Sequence, residues 1–184
     1  VKNFLYGAIF LLFSACYKSQ EPNNNVSYYY DLTAFLQKLY AQKGGFYLKT
    51  TFTENQKQQK KIENIRWEKE LAFFEQTNIN KSAFKDLYDE RREQKGDTLI
   101  LQYQAKNSDL KVKFLEIKFD KNQTPIQIKA FLQTENYLYA SEKELNLYLK
   151  DEKVLRYSIK GKQKMIFAEA ENFEIYAEKV GDKS

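Results

Sequence analysis

The sequence predicts an α+β fold: an antiparallel, strongly curved β-meander of seven to nine strands, covered on one face by two or three N-terminal helices. Three observations predict it. Apolar residues recur at helical spacing in the first half of the chain, at Leu32, Phe35, Leu36, Leu39 and Tyr40. From residue 98 onward, alternating apolar and polar runs separated by turn residues follow one another about every ten residues, the pattern of a meander. Finally, 42% apolar residues, with 14 Tyr and 14 Phe in 184, suffice for a core, while 6 Gly and 2 Pro exclude collagen-like and low-complexity chains.

The elements follow in order. Residues 31–42 form an amphipathic helix with Asp31 as N-cap and Gly44-Gly45 as its stop. Residues 46–53, FYLKTTFT, are β-branched and aromatic and read as a strand. Residues 54–66 stay open between a helix, favoured by Gln, Lys and Glu, and a hairpin with a polar edge strand. A helix is expected over 64–76, with Trp67, Leu71 and Phe74 on one face. A third short helix capped by Ser82 would put Phe84, Leu87 and Tyr88 together, and the charged stretch 89–97 closes this half. Strands are then expected at 98–105, 110–119, 125–134, 137–140, 144–149, 154–159, 164–170 and 173–179. Turns are expected at 107–109, 120–122, 150–152, 161–162 and 171–172.

Charge narrows the partners. The balance is 30 Lys+Arg against 25 Asp+Glu. Four of the cations are Arg, the side chain that forks onto phosphates and bases, and the lysines are interspersed with acids. Nucleic acid is therefore not expected as a partner. No His and one Cys remove the commonest general base, the commonest metal ligand, and any intramolecular disulfide. No metal site and no cofactor are expected, nor does a G-x-S-x-G, P-loop or G-x-G-x-x-G occur. Close carboxylate pairs such as Glu68 and Glu70 point apart on a helix.

The N-terminus carries the sharpest motif. Lys2 gives a positive start, and Phe4 to Phe13 is an uncharged, mostly apolar run. Ten residues of helix cover about 15 Å, half of a hydrocarbon core of about 30 Å, so the run suits a signal-peptide core and not a spanning helix. Val1 is read as a literally translated alternative start codon. Small Ser14 and Ala15 precede Cys16, the sole cysteine. This segment resembles the lipobox of bacterial lipoproteins, with Phe13 in place of the usual Leu. The resemblance implies a signal peptide at 1–15, diacylation of Cys16, and a flexible tether at 16–27 leading to one globular domain at 28–180. It also implies an envelope location, most simply the outer membrane facing the periplasm. The segments 65–90 and 157–164 are similar to uncharacterised lipoproteins of Bacteroidota. The helix-plus-curved-sheet plan is similar to the half-barrels of periplasmic lipoprotein carriers and receptors, which implies an acyl-chain cavity.

The function expected from this is a non-enzymatic, membrane-anchored lipoprotein binding an apolar ligand, a lipid or an envelope protein partner. The alternatives are a structural lipoprotein of an envelope complex, its sheet paired with another protein, and a hydrolase working without His. Candidate binding residues are Trp67, Asn78, Asn80 and Lys81 as a recognition loop, and Tyr137, Tyr139, Tyr148 and Tyr157 from an aromatic stripe that also includes Phe167, Phe173 and Tyr176. Core packing competes with both readings.

Overall fold

A computed structural model describes residues 27–54 and 56–181. The expected signal peptide, Cys16 and most of the expected tether lie outside the described residues.

Helix α1, Leu32–Tyr40, starts where the Asp31 carboxylate accepts the Ala34 N–H at 2.9 Å, and buries Leu32, Phe35, Leu36 and Leu39. Strands β1, Phe46–Thr53, and β2, Gln56–Ile62, form a hairpin, so the polar run is an edge strand. The expected helix 64–76 is two single turns, α2, Trp67–Glu70, and α3, Ala72–Glu75, broken at Leu71, whose φ of −97° and ψ of 10° leave the helical region. The third helix is one 3₁₀ turn, Ser82–Phe84; Lys85 and Asp86 then turn the chain, with Asp86 at φ 64°. Tyr88 therefore opens a strand instead of sharing a helical face with Phe84 and Leu87. That strand, β3, Tyr88–Lys95, takes up most of the charged stretch 89–97, for which the sequence predicts no strand.

The meander follows: β4, Thr98–Ala105; β5, Val112–Phe119; β6, Pro125–Glu135; β7, Tyr139–Lys150; β8, Lys153–Met165; β9, Glu171–Gly181. Two pairs of expected short strands are thus one long strand each, β7 and β8. Gly161 sits within β8, paired with Lys143 and Phe173, and the turn comes later, between Met165 and Glu171. All nine strands join in one antiparallel sheet of order β2-β1-β9-β8-β7-β6-β5-β4-β3.

The α+β class stands, and the strong curvature does not: the sheet is open, its ends β2 and β3 are unpaired with each other, and it is not strongly curled. The reason lies in the ladder. Curvature comes from bulges and glycine kinks within strands. Here the register shifts fall close to strand ends, at Phe46/Tyr47, Val112/Phe114, Lys118/Phe119 and Tyr148/Leu149. The long β7–β8 ladder runs unshifted from Tyr139 to Tyr148, and β8–β9 is unshifted throughout.

One face packs the helices. Along it lie Leu101, Tyr103, Leu115, Ile117, Ile128, Ala130, Leu145, Leu147, Tyr157, Ile159 and Ala177, all buried. Cross-strand pairs such as Ile117↔Ile128, Ala130↔Leu145 and Leu145↔Ile159 put them in register. The helices are short, so they cover the sheet only where these residues stand. Their reach ends about where Lys143 lies over the Phe73 ring, 5.8 Å from its centroid, and where the Phe173 ring occupies the space above Gly161. The rest of β7, β8 and β9 continues beyond.

Candidate functional site

The opposite face of the sheet is open. Strand alternation places Phe114, Phe131, Glu144, Lys160, Glu174, Phe52 and Lys57 on it, and the pairings Phe114↔Phe131, Phe131↔Glu144, Glu144↔Lys160, Lys160↔Glu174, Glu174↔Phe52 and Phe52↔Lys57 set them in a single row across seven strands. Two phenylalanines therefore stand four strands apart, about 19 Å at the usual strand spacing, with a Glu-Lys-Glu ladder between them. Lys160 meets Glu174 at 3.3 Å, and Lys129 meets Glu144 at 3.5 Å. The next row, Gln133, Glu142 and Lys162, has Gln133 donating to Glu142 at 3.2 Å. Of these, Phe52, Phe131, Glu142, Glu144, Lys160, Lys162 and Glu174 line a shallow depression of about 490 Å³, wide open to solvent. Its floor is partly aromatic, and its charges alternate in sign.

A second cluster lies under the helices. Glu70, the last residue of α2, takes a hydrogen bond from the Tyr157 hydroxyl and an ion pair from Lys49 at 2.6 Å. Burial pushes the Tyr157 hydroxyl well above the ordinary tyrosine range, and its hydrogen bond to the Glu70 carboxylate and that group's charge push the same way. The hydroxyl therefore stays protonated at neutral pH and is a poor base. The cluster pins α2 to β1 and β8. Its two formal charges, on Lys49 and Glu70, offset each other. Glu70 is half of a carboxylate pair that sequence spacing set aside; only the fold brings Lys49 and Tyr157 to it.

The structure disperses the candidate residues. Trp67 is buried, its ring edge-on to Tyr47 at 4.9 Å. The Asn80 side-chain oxygen accepts the backbone N–H groups of Tyr28 and Tyr29, at 2.8 and 3.1 Å, and Asn78 accepts the N–H of Asn80 at 2.9 Å. These two asparagines dock the entering chain against the domain. Lys81 lies over the Phe84 ring, 5.8 Å from its centroid. Tyr157 is in the cluster just described. Tyr139 is on the helix-side face at the end of β7, whereas Tyr148 is on the open face with the Arg156 guanidinium 4.2 Å from its ring centroid. The aromatic stripe is thus split between two faces: Tyr139, Tyr157 and Phe173 on one, Tyr148 and Tyr176 on the other. Tyr137 and Phe167 are in turns and project outward, 85% and 96% exposed.

Sequence reasoning missed the Phe131–Phe52 row. A signal existed at Phe131, which interrupts the polar series Gln127, Lys129 and Gln133 on the outer face of its strand, whereas Phe52 follows Leu48 and Thr50 and does not stand out, and the pairing of β1 with β9 that completes the row is not readable locally. None of the depressions described is lined by the core of Leu36, Leu115, Ile117 and Leu145; they open on the surface. Among the described residues no group of three or more His, Cys, Asp or Glu could hold a metal, and no helix is long and apolar enough to cross a membrane. No protein-family model matches the chain, and no curated protein matches it in sequence.

Proposed function

We propose that this chain is a membrane-anchored, non-catalytic binding protein of the bacterial envelope, tethered through acylated Cys16, whose open sheet face docks a protein partner. The observation that carries this reading is the Phe131–Phe52 row: an apolar contact at either end, an alternating charge ladder between, and a polar margin. Aromatic side chains are favoured anchors in protein interfaces, and a fixed pattern of charges between two such anchors selects a partner by complementarity and register. The alternating signs favour a partner whose own charges alternate in register, and disfavour a polyanion.

Two features weigh against the alternatives. The helix-side core is filled by side chains that are almost wholly buried, so the acyl-chain cavity implied by the half-barrel likeness has no counterpart in the depressions described. Both free edges of the sheet are armed against strand addition: β2 carries Lys57, Lys60 and Lys61, and β3 carries Asp89, Glu90, Arg91, Arg92 and Glu93. Assembly by sheet extension is correspondingly disfavoured, and docking on the face is left.

A photo-cross-linking residue in place of Phe131, in the full chain expressed in its host, tests the partner. A discrete adduct is expected there, and none with the same residue at Arg91 on β3. Equal labelling at both positions, or none at either, would remove the docking face. The anchor is tested separately. Cys16→Ala should leave the folded domain in the soluble fraction, and retention in salt-washed membranes would contradict acylation as the anchor.

A further inference from the structure

We infer that the end of the sheet formed by the β6–β7 and β8–β9 turns is a membrane-contacting tip, which seats in the interfacial zone of the bilayer. Tyr137, Leu138, Met165, Ile166 and Phe167 form it, with exposures of 85, 57, 60, 42 and 96%. Turn tips are normally built of Gly, Pro, Asn, Asp and Ser. Here two neighbouring turns each present consecutive large apolar side chains, Tyr137-Leu138 in one and Met165-Ile166-Phe167 in the other, with Asn136 and Glu169 beside them.

The tip is preformed. The Asn136 side chain accepts the N–H groups of Leu138 and Tyr139, at 2.9 and 3.0 Å, and the Asn136 N–H bonds the Tyr139 carbonyl at 2.9 Å. The Ile166 N–H donates to the Leu138 carbonyl at 3.0 Å and ties the two turns together. The apolar side chains are therefore held out on a hydrogen-bonded scaffold. A convex tip cannot enclose a ligand, but it can enter a soft apolar medium, and Tyr is at home at the level of lipid headgroups.

The path of the chain selects the bilayer as occupant. The Tyr29 hydroxyl accepts the Tyr88 N–H at 3.2 Å, at the point where β3 starts opposite Ala105. Ala105 ends β4 at the same end of the sheet as the two apolar turns, since antiparallel order alternates the turns between the two ends. Residue 27 therefore enters the domain at the end that carries the tip, and the apolar run Phe4–Phe13 and Cys16 precede it in sequence. The eleven steps from Cys16 to residue 27 extend to about 37 Å. The distance across the sheet from β3 to β8 is five strand spacings, about 24 Å. An acyl group on Cys16 and the tip can thus lie in one membrane plane. Charges around the tip, Lys143, Lys162 and Lys164 against Glu135, Glu142, Glu169 and Glu171, nearly balance and leave no basic surplus to draw the tip to an anionic surface. Insertion is therefore driven by apolar burial and is insensitive to salt.

This inference builds on the anchored reading, and its test separates the two. The full chain carrying Phe167→Trp is reconstituted with phosphatidylethanolamine vesicles that contain a minority of phosphatidylglycerol and a brominated acyl chain. The parent chain, with its one buried Trp67, supplies the background. The new indole should shift to the blue and be quenched by the brominated lipid, with no change on raising salt. Adding Ile166→Ser to Phe167→Trp should weaken that quenching equilibrium about tenfold, as the loss of one apolar side chain from the interface requires. A chain that floats with the vesicles while its indole stays open to an aqueous quencher overturns the tip and leaves the anchor intact. A chain that does not associate with vesicles overturns the tip as well. A blue shift that grows with protein concentration in the absence of lipid would instead make the tip a self-association surface and overturn the inference. In Cys16→Ala combined with Phe167→Trp, which no longer stays with membranes on washing, quenching that reappears on raising the vesicle concentration would support the tip independently of the anchor.

Discussion

The two ends of the sheet are built from the same strands and held by different forces. In the helix-covered end, Leu145, Leu147, Tyr157 and Ile159 are buried to 1% exposure or less. A few residues further along the same strands, Lys162, Lys164 and Met165 on β8 and Glu171 and Asn172 on β9 are exposed. The backbone ladder is continuous across both ends. What changes is whether a second layer stands above it. Hydrogen bonds in a ladder exchange water for protein partners and give a modest net gain, whereas apolar burial supplies most of the folding free energy. Stability should therefore reside in the covered end, and the uncovered end is a rigid extension available for contact.

The largest effect should come from the covered end. Leu145→Ala removes a side chain that is fully buried between Ala130 and Ile159. A cavity there should cost about 2–5 kcal/mol. A shift of the urea midpoint with an unchanged slope is the expected result, and a change below about 0.5 kcal/mol would contradict a packed helix-side core.

Next in size is the polar cluster that ties helix to sheet. Glu70→Gln keeps a hydrogen-bond acceptor for Tyr157 but removes the ion pair with Lys49, both partners being mostly shielded from water. About 1–2 kcal/mol should be lost, read by chemical denaturation near neutral pH. The covered end should also be sensitive to alkali. Burial raises Tyr30 and Tyr88 to about 12, with the Asp31 charge adding at Tyr30 and Tyr29 adding at Tyr88; burial likewise lifts Tyr103 and Tyr157. A folded state that holds these protons more tightly than the unfolded chain is favoured fully below pH about 10 and loses that advantage as pH climbs toward 12 and beyond. Denaturation midpoints should fall steeply from pH about 10 upward, and a flat profile to pH 12 would deny the burial of these hydroxyls.

The division between the ends was only partly legible in the sequence. Helix α1 was readable because its apolar spacing and its Asp31 cap agree. The meander was readable because β5 and β6 alternate cleanly. Strands β7 and β8 were divided wrongly because their distal halves, such as Glu142-Lys143 and Gly161-Lys162-Gln163-Lys164, have no apolar face. A strand not covered by a second layer needs none, and the pattern that reveals strands is the pattern of burial. The same reason hid β3. The pairing of β1 with β9 joins residues over a hundred positions apart, so the open-face row had no local signature, and the curvature expected from strand number depended on bulges that sequence does not display.

The boundary between the two ends can be probed at Gly161. A Cβ placed there would lie 2.2 Å from Cζ of Phe173, so the ring must swing away. Gly161→Ala should destabilise by about 1 kcal/mol, because the ring can rotate more readily than backbone can shift. Phe173→Ala should destabilise too, and the double substitution should be less harmful than the sum of the two. Strict additivity would mean that the ring does not cover the glycine.

The smallest effect is expected at the far tip, and it sharpens the comparison most. Met165→Ser, Ile166→Ser and Phe167→Ser remove apolar atoms that already face water in the isolated protein, where each is 42% exposed or more. No enclosed cavity forms and little burial is lost, least at Phe167 and most at Ile166, while the ties that hold the turns, Ile166 N–H to Leu138 and the Asn136 side chain to Leu138 and Tyr139, involve backbone groups and Asn136 alone. Each change should therefore move stability by less than about 0.5 kcal/mol in aqueous buffer. A loss comparable to that of Leu145→Ala would mean that the tip packs against something within the chain, and the functional separation of the two ends would fail with it.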